Sequence, residues 1–113
     1  MKTIKLWQIA HARSGDKGDA SNVGIVAFDD QGYAFLRSHL STERVKAHFS
    51  QICHGDVERF EMPNIRALNF ILHDSLGGGG SESLKTDAQG KTHGLGLLYM
   101  ELEAPDDLKL YAE

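Results

Sequence analysis

The chain has 113 residues, with 12 Lys and Arg against 16 Asp and Glu, for a net charge of −4. That length supplies one domain with one core, and the acidic balance excludes a general nucleic-acid binder, which carries a basic surplus. A single cysteine, Cys53, excludes an intrachain disulfide and fits a reducing compartment. The apolar run at the start is broken by Lys5 and Gln8, too short for a signal-peptide core. No stretch approaches the roughly 20 apolar residues of a membrane span. The expectation is a soluble cytoplasmic protein that engages neither membrane nor nucleic acid.

Thr3 to Ala10 alternates and predicts a first strand. His11 to Asn22 then reads as a long polar connection, rich in charge, hydroxyls and glycine. Val23 to Phe28 is short, apolar and β-branched, and predicts a buried strand. Gly24 within it marks a close backbone approach or a bulge. Asp29-Asp30-Gln31-Gly32 carries turn chemistry. Tyr33 to Leu40 has helical spacing. Ser41 followed by Glu43 is an N-cap signal, with Val45, Phe49 and Ile52 at helical spacing after it and Gly55 as the stop.

Val57 to Met62 alternates as a strand, closed by Pro63. Asn64 is a plausible N-cap for a third helix over 65–76, with Ile65, Leu68 and Leu72 inward. Gly77 to Gly80 forms a glycine run. Ser83 to Thr86 reads as a short strand, 87–90 as a turn, and Thr92 to Leu102 as a longer strand. Residues 1–104 form the expected domain and 105–113 a charged C-terminal tail. The sum is an α+β two-layer sandwich, a mainly antiparallel sheet with helices on one face. Trp7, Phe60 and Tyr99 are expected on the face that helices leave bare, where self-association would bury them.

The polar segment is the first candidate site. Arg13 and Lys17 supply positive charge, and Gly15 and Gly18 would let backbone N–H groups converge on an anion. Ser14, Asp16 and Asn22 add hydrogen-bonding groups. The rival reading is a rigid turn whose Asp16, Asp19 and Asn22 bond their own backbone. The Walker pattern is not met, because no helix follows. A metal site on His11, Asp16 and Asp19 is opposed by the neighbouring cations, so neither metal nor other cofactor is expected. The glycine run Gly77 to Gly80 reads first as a hinge or lid, and Gly78 and Gly79, alongside Lys85, are a second, weaker anion site. His73-Asp74, at the end of the expected third helix, reads first as a cationic histidine favourably placed at a helix C-terminus, and would serve as base and orienter if it met the first segment. Asp16 and His73 are the weak candidates for moving a proton. Cys53-His54 shows no activation and reads as incidental.

Several of these residues carry a family resemblance. Ala12-Arg13-Ser14-Gly15-Asp16-Lys17-Gly18 with Ser21-Asn22 and Gly24 resembles the opening signature of the AtuA C-terminal family. Pro63-Asn64 with Ala67-Leu68-Asn69-Phe70, the run Leu76 to Gly79, and Ser83-Leu84 with Asp87 and Gln89-Gly90-Lys91 continue it in order, over about residues 3 to 102. The resemblance implies a ferredoxin-like fold and a setting in acyclic terpene or acyl-CoA catabolism. It brings no established reaction, so no catalytic residue carries over. In that family the domain often follows a larger one, and here it is expected to stand alone. Two functions follow as expectations. One is an accessory subunit that completes a site on a larger AtuA-type enzyme. The other is a small homo-oligomeric enzyme or binder of an anionic metabolite, such as an acyl-CoA, phosphate or carboxylate.

Overall fold

The computed structural model describes residues 1–17, 20–50, 53, 55–73 and 96–111. The expected glycine run, the strand at 83–86, the turn at 87–90 and the start of the strand at Thr92 lie outside them, as do Gly18, Asp19, Ile52, His54, Asp74, Gly78 and Gly79.

The expected first strand is two strands in different sheets. β1 (Lys2–Lys5) is followed by a 3-10 turn at Leu6–Gln8, and β2 spans Ala10–Lys17. Leu6 and Ile9 are both buried. A three-residue turn places both inward, which an extended strand cannot do. The Gln8 carboxamide locks the turn by accepting the Lys5 N–H at 2.8 Å.

The polar connection is a hairpin and not a loop. β2 runs antiparallel to β3 (Ala20–Ala27) from the pair Ala10–Ala27 to the pair Lys17–Ala20. Its alternation hides in sequence because the inward positions, Ala10, Ala12 and Ser14, are small, while His11 and Arg13 point the other way. Gly24 sits in this ladder opposite Arg13 with no bulge.

The expected turn at Asp29 is a helix start. The Asp29 carboxylate accepts the Gly32 N–H at 2.7 Å and caps α1 (Asp30–His39). Ser41 caps α2 (Thr42–His48) through the Arg44 N–H, as its sequence signal predicts. α2 ends well before Gly55, whose role is different: a Cβ there would stand 2.7 Å from the His73 carbonyl oxygen. Gly55 N–H donates to that same carbonyl.

β4 (Val57–Met62) stands as predicted. Arg59 reaches from it to the carbonyls of Arg37 and Leu40 at 3.1 and 2.9 Å, satisfying groups that the end of α1 leaves open.

The third helix is absent at these residues. A 3-10 turn over Pro63–Ile65 and Arg66 at φ 57° redirect the chain into β5 (Ala67–Leu72). Leu68, Phe70 and Leu72 are fully buried, with Asn69 and Ile71 facing the other way. Leu68 and Leu72 satisfy helical and strand spacing alike. Pairing decides the outcome, because β5 has hydrogen-bonded neighbours on both sides.

Near the C-terminus, 96–98 are helical and β6 begins only at Glu101, ending at Ala104. Leu97 and Met100 are both buried, three residues apart, which again favours a turn over the strand expected there. Leu108 packs into the core, and the Tyr111 N–H donates to the Gln8 carbonyl at 2.8 Å.

The result is an α+β fold with antiparallel sheets. One has order β2-β3-β5-β4 and the other pairs β1 with β6. α1 packs on β3 and β5, and α2 on β4, so one face of the large sheet carries the core. Among the described residues, no helix is long and apolar enough to cross a membrane.

Candidate functional site

Residues directly opposite in an antiparallel sheet share a face. Val23, Ile25, Leu68 and Phe70 are buried, so the positions between them mark the sheet's open face. Three cross-strand rows stand there. Gly15, Asn22, Ile71 and Glu58 form the first; Arg13, Gly24, Asn69 and Phe60 the second; His11, Val26, Ala67 and Met62 the third.

Gly24 leaves a gap in the middle row. Arg13 and Asn69 flank it at about 10 Å between backbones, two strand spacings. The backbone of Gly24 is the floor. The surrounding groove encloses about 630 Å³, and Ser14, Gly15, Asn22, Val26, Met62 and Ile65 contribute to its walls. Among the described residues, the side chains of Arg13, Asn22 and Asn69 have no hydrogen-bond or ion-pair partner. An unpaired guanidinium and two carboxamides therefore line one groove with Val26, Met62 and Ile65, which suits a ligand with a negative end and an apolar body.

The two glycines are not demanded by packing. A Cβ at Gly24 would meet only Asn69 Oδ1, at an ordinary 3.5 Å, and one at Gly15 would meet nothing within 4 Å. Glycine in a strand costs about 0.5–1 kcal/mol relative to alanine. The bare positions keep the groove open at the expense of the sheet.

His11 is held against Phe28, ring centroids 5.8 Å apart, and Phe28 meets Tyr111 edge-on at 5.1 Å. Tyr111 donates its hydroxyl to Asp29 at 2.7 Å. The Gly32 N–H and then this hydroxyl hold the Asp29 carboxyl below the usual carboxylate value, while the same bond raises Tyr111. The end of the described chain thus braces the His11 corner of the groove.

The structure brings Arg13, Gly15 and Asn22 together on the open face; Ser14 lines the groove from between Arg13 and Gly15, at a position whose side chain faces the other way. Asp16 and Lys17 lie on the same strand by backbone. The N–H nest is not formed at Gly15, because it sits in a regular ladder opposite Asn22 and extended backbone points successive N–H groups apart. His73 does not end a helix. It follows β5 and pairs with the Glu58 carboxylate at 2.5 Å, outside the groove lining. Trp7 and Tyr99 share a separate 250 Å³ cleft with Lys5 and Leu98, so they do not join Phe60 on the open face. Among the described residues, no group of three His, Cys, Asp or Glu is placed to hold a metal.

Asn69, Met62 and Ile65 were not visible as site residues in sequence. Reading 65–76 as a helix hid Asn69 and Ile65, with the alternation from Ala67 to Leu72 as the signal for Asn69; Met62 was read in its strand, but without the pairing of β4 to β5 nothing tied it to the site.

The family model of the AtuA ferredoxin-like domain matches residues 4–103 of the chain. No curated protein and no solved structure matches it.

Proposed function

The chain belongs to the AtuA ferredoxin-like domain family, and from that premise we propose that it is a binding subunit whose open sheet face takes an anionic metabolite. One observation carries the reading: Gly24 leaves a side-chain-free slot between unpaired Arg13 and Asn69, although nothing nearby forbids a side chain there. Arg13 holds the negative end of the ligand, and Asn22 and Asn69 orient it. Val26, Met62 and Ile65 bury an apolar body. The setting that the family resemblance implies supplies such ligands as acyl carboxylates and acyl-CoA thioesters. In that setting the chain acts as an accessory, site-completing subunit for a larger enzyme of terpenoid or acyl-CoA catabolism. The apolar rim favours completion by another protein surface: Phe60, Met62 and Ile65 are 46, 43 and 54% exposed beside the groove.

Ligand-induced thermal shift tests the binding reading. Straight-chain carboxylates, acyl-CoA thioesters and inorganic phosphate are titrated onto the native chain, Arg13→Ala and Lys46→Ala. The last removes an equal charge from α2, away from the groove. At least one class should stabilise the native chain and Lys46→Ala, and fail on Arg13→Ala. Equal shifts for all three proteins, or none for any ligand, refute the reading.

A further inference from the structure

Among the described residues, no segment packs over the open face, where Phe60 and Met62 stand exposed, and the strand register says what fits it. We infer that a second copy of this chain packs face to face on the large sheet and completes the slot above Gly24. This inference rests on the proposed use of the open face as the binding site, and makes a second copy, in place of the larger enzyme, the surface that closes the groove.

Two sheets packed through the same face are related by a twofold axis lying between them. Charge chooses its direction. An axis perpendicular to the strands through the middle row sets β2 against β2, bringing the two Arg13 side chains together. An axis parallel to the strands, between β3 and β5, sets β2 against β4. The rows then align pairwise. Arg13 meets the partner's Phe60, a favourable cation–aromatic contact, with the partner's Glu58 carboxylate one row away. His11 meets the partner's Met62. Gly15 stands opposite the partner's Glu58, and Val26 opposite the partner's Ala67.

The middle row fits by size as well as charge. Gly24 faces the partner's Asn69, so the bare position receives a carboxamide from above. Face-to-face sheets lie about 10 Å apart, which leaves the Gly24 slot room below that carboxamide. The slot then has Arg13 and Asn69 as walls and the partner's Asn69 and Phe60 as a lid. Phe60 and Met62, the exposed apolar residues of β4, are buried in the same step. Each copy contributes to both slots.

Sedimentation velocity, from micromolar to near-millimolar chain, gives the assembly state of the native protein and of two substitutions at one position. Phe60→Lys opposes the partner's Arg13 and should weaken dimerisation at least about tenfold. Phe60→Glu pairs with that arginine and should stay within about threefold of native. Position 60 is exposed, so both variants should keep the native thermal transition. Cross-linking tests the register itself. In Arg13→Cys with Phe60→Cys, the new cysteines lie about 14 Å apart within one chain, three strand spacings, too far for an internal disulfide. Facing positions in the dimer lie about 10 Å apart between backbones, so a short bis-maleimide that spans this gap but not the longer one within a chain should yield a covalent dimer from the double variant and little from either single one.

A native monomer over the whole concentration range overturns the inference. So does equal weakening by lysine and glutamate, or a double variant that does not cross-link. A chain that is monomeric alone, but seats a larger protein on the Arg13–Phe60 face, overturns it too. Ligand binding abolished by Arg13→Ala in a monomer would leave the binding reading standing. A dimer with no ligand response at Arg13 would refute that reading and spare this one.

Discussion

Replacing Gly24 should move stability and binding in opposite directions. An alanine Cβ at this position would touch only Asn69 Oδ1, at 3.5 Å, so no clash offsets the gain in backbone order. A strand glycine gives up about 0.5–1 kcal/mol relative to alanine. Unfolding entropy of about 2 cal/mol/K per residue, over 113 residues, sums to ~240 cal/mol/K. Gly24→Ala should then raise the melting temperature by about 2–4 °C. Gly24→Leu instead fills the slot between Arg13 and Asn69 and displaces the charged end of the ligand. Hydrogen bonds to a charged group contribute about 1.5–3 kcal/mol, so affinity should fall about 10- to 150-fold. Scanning calorimetry reads the first number and isothermal titration the second, using whichever acyl ligand stabilises the native chain. A destabilised Gly24→Ala would show that the fold needs this glycine. Undiminished affinity in Gly24→Leu would show that the slot is not the site.

Other expectations follow from the same geometry. Arg13→Lys should keep part of the affinity that Arg13→Ala loses, because a lysine is a point charge without the planar fork; titration calorimetry separates the two. Gly55→Ala should destabilise the chain by about 1–3 kcal/mol, since its Cβ would meet the His73 carbonyl at 2.7 Å; urea unfolding measures it. Arg66→Gly should be neutral to stabilising by about 1 kcal/mol, because φ 57° strains any residue with a Cβ, and the ion pair to Asp30 that it removes is exposed. Asp29 sets an acid dependence. Its carboxyl is held below 3.8 in the folded chain, so its contribution is complete above that value and is lost as pH falls through the lower folded value. Thermal scans of the native chain and Asp29→Asn should differ in slope only at acid pH; parallel curves would contradict the assignment.

Where one signal dominated, the sequence was readable. Ser41 and Glu43 announced α2. The alternation of Val57 to Met62 announced β4, and the apolar run from Val23 announced β3. Errors came where two periods fitted the same residues. Leu68 and Leu72 suit a helix as well as a strand, and only the two flanking strands settle β5. Leu6 and Ile9 face one core from a turn, which their alternating neighbours disguised. β2 looked like a loop because its inward side chains are Ala10, Ala12 and Ser14. The site followed the same division. Arg13, Ser14, Gly15 and Asn22 stood out by composition. Asn69 joins them through pairing across β3, a relation between residues 45 apart in sequence from Gly24, which no local pattern carries.

The central claim is that the working surface is the open sheet face at Arg13, Gly24 and Asn69. Amide spectra of the nitrogen-15-labelled chain, titrated with a stabilising acyl ligand, test it most directly. Shifts should concentrate at Arg13, Asn22, Gly24 and Asn69 and fade toward α1 and α2. Shifts centred on the Lys5–Trp7–Tyr99 cleft or on the helical face would contradict it.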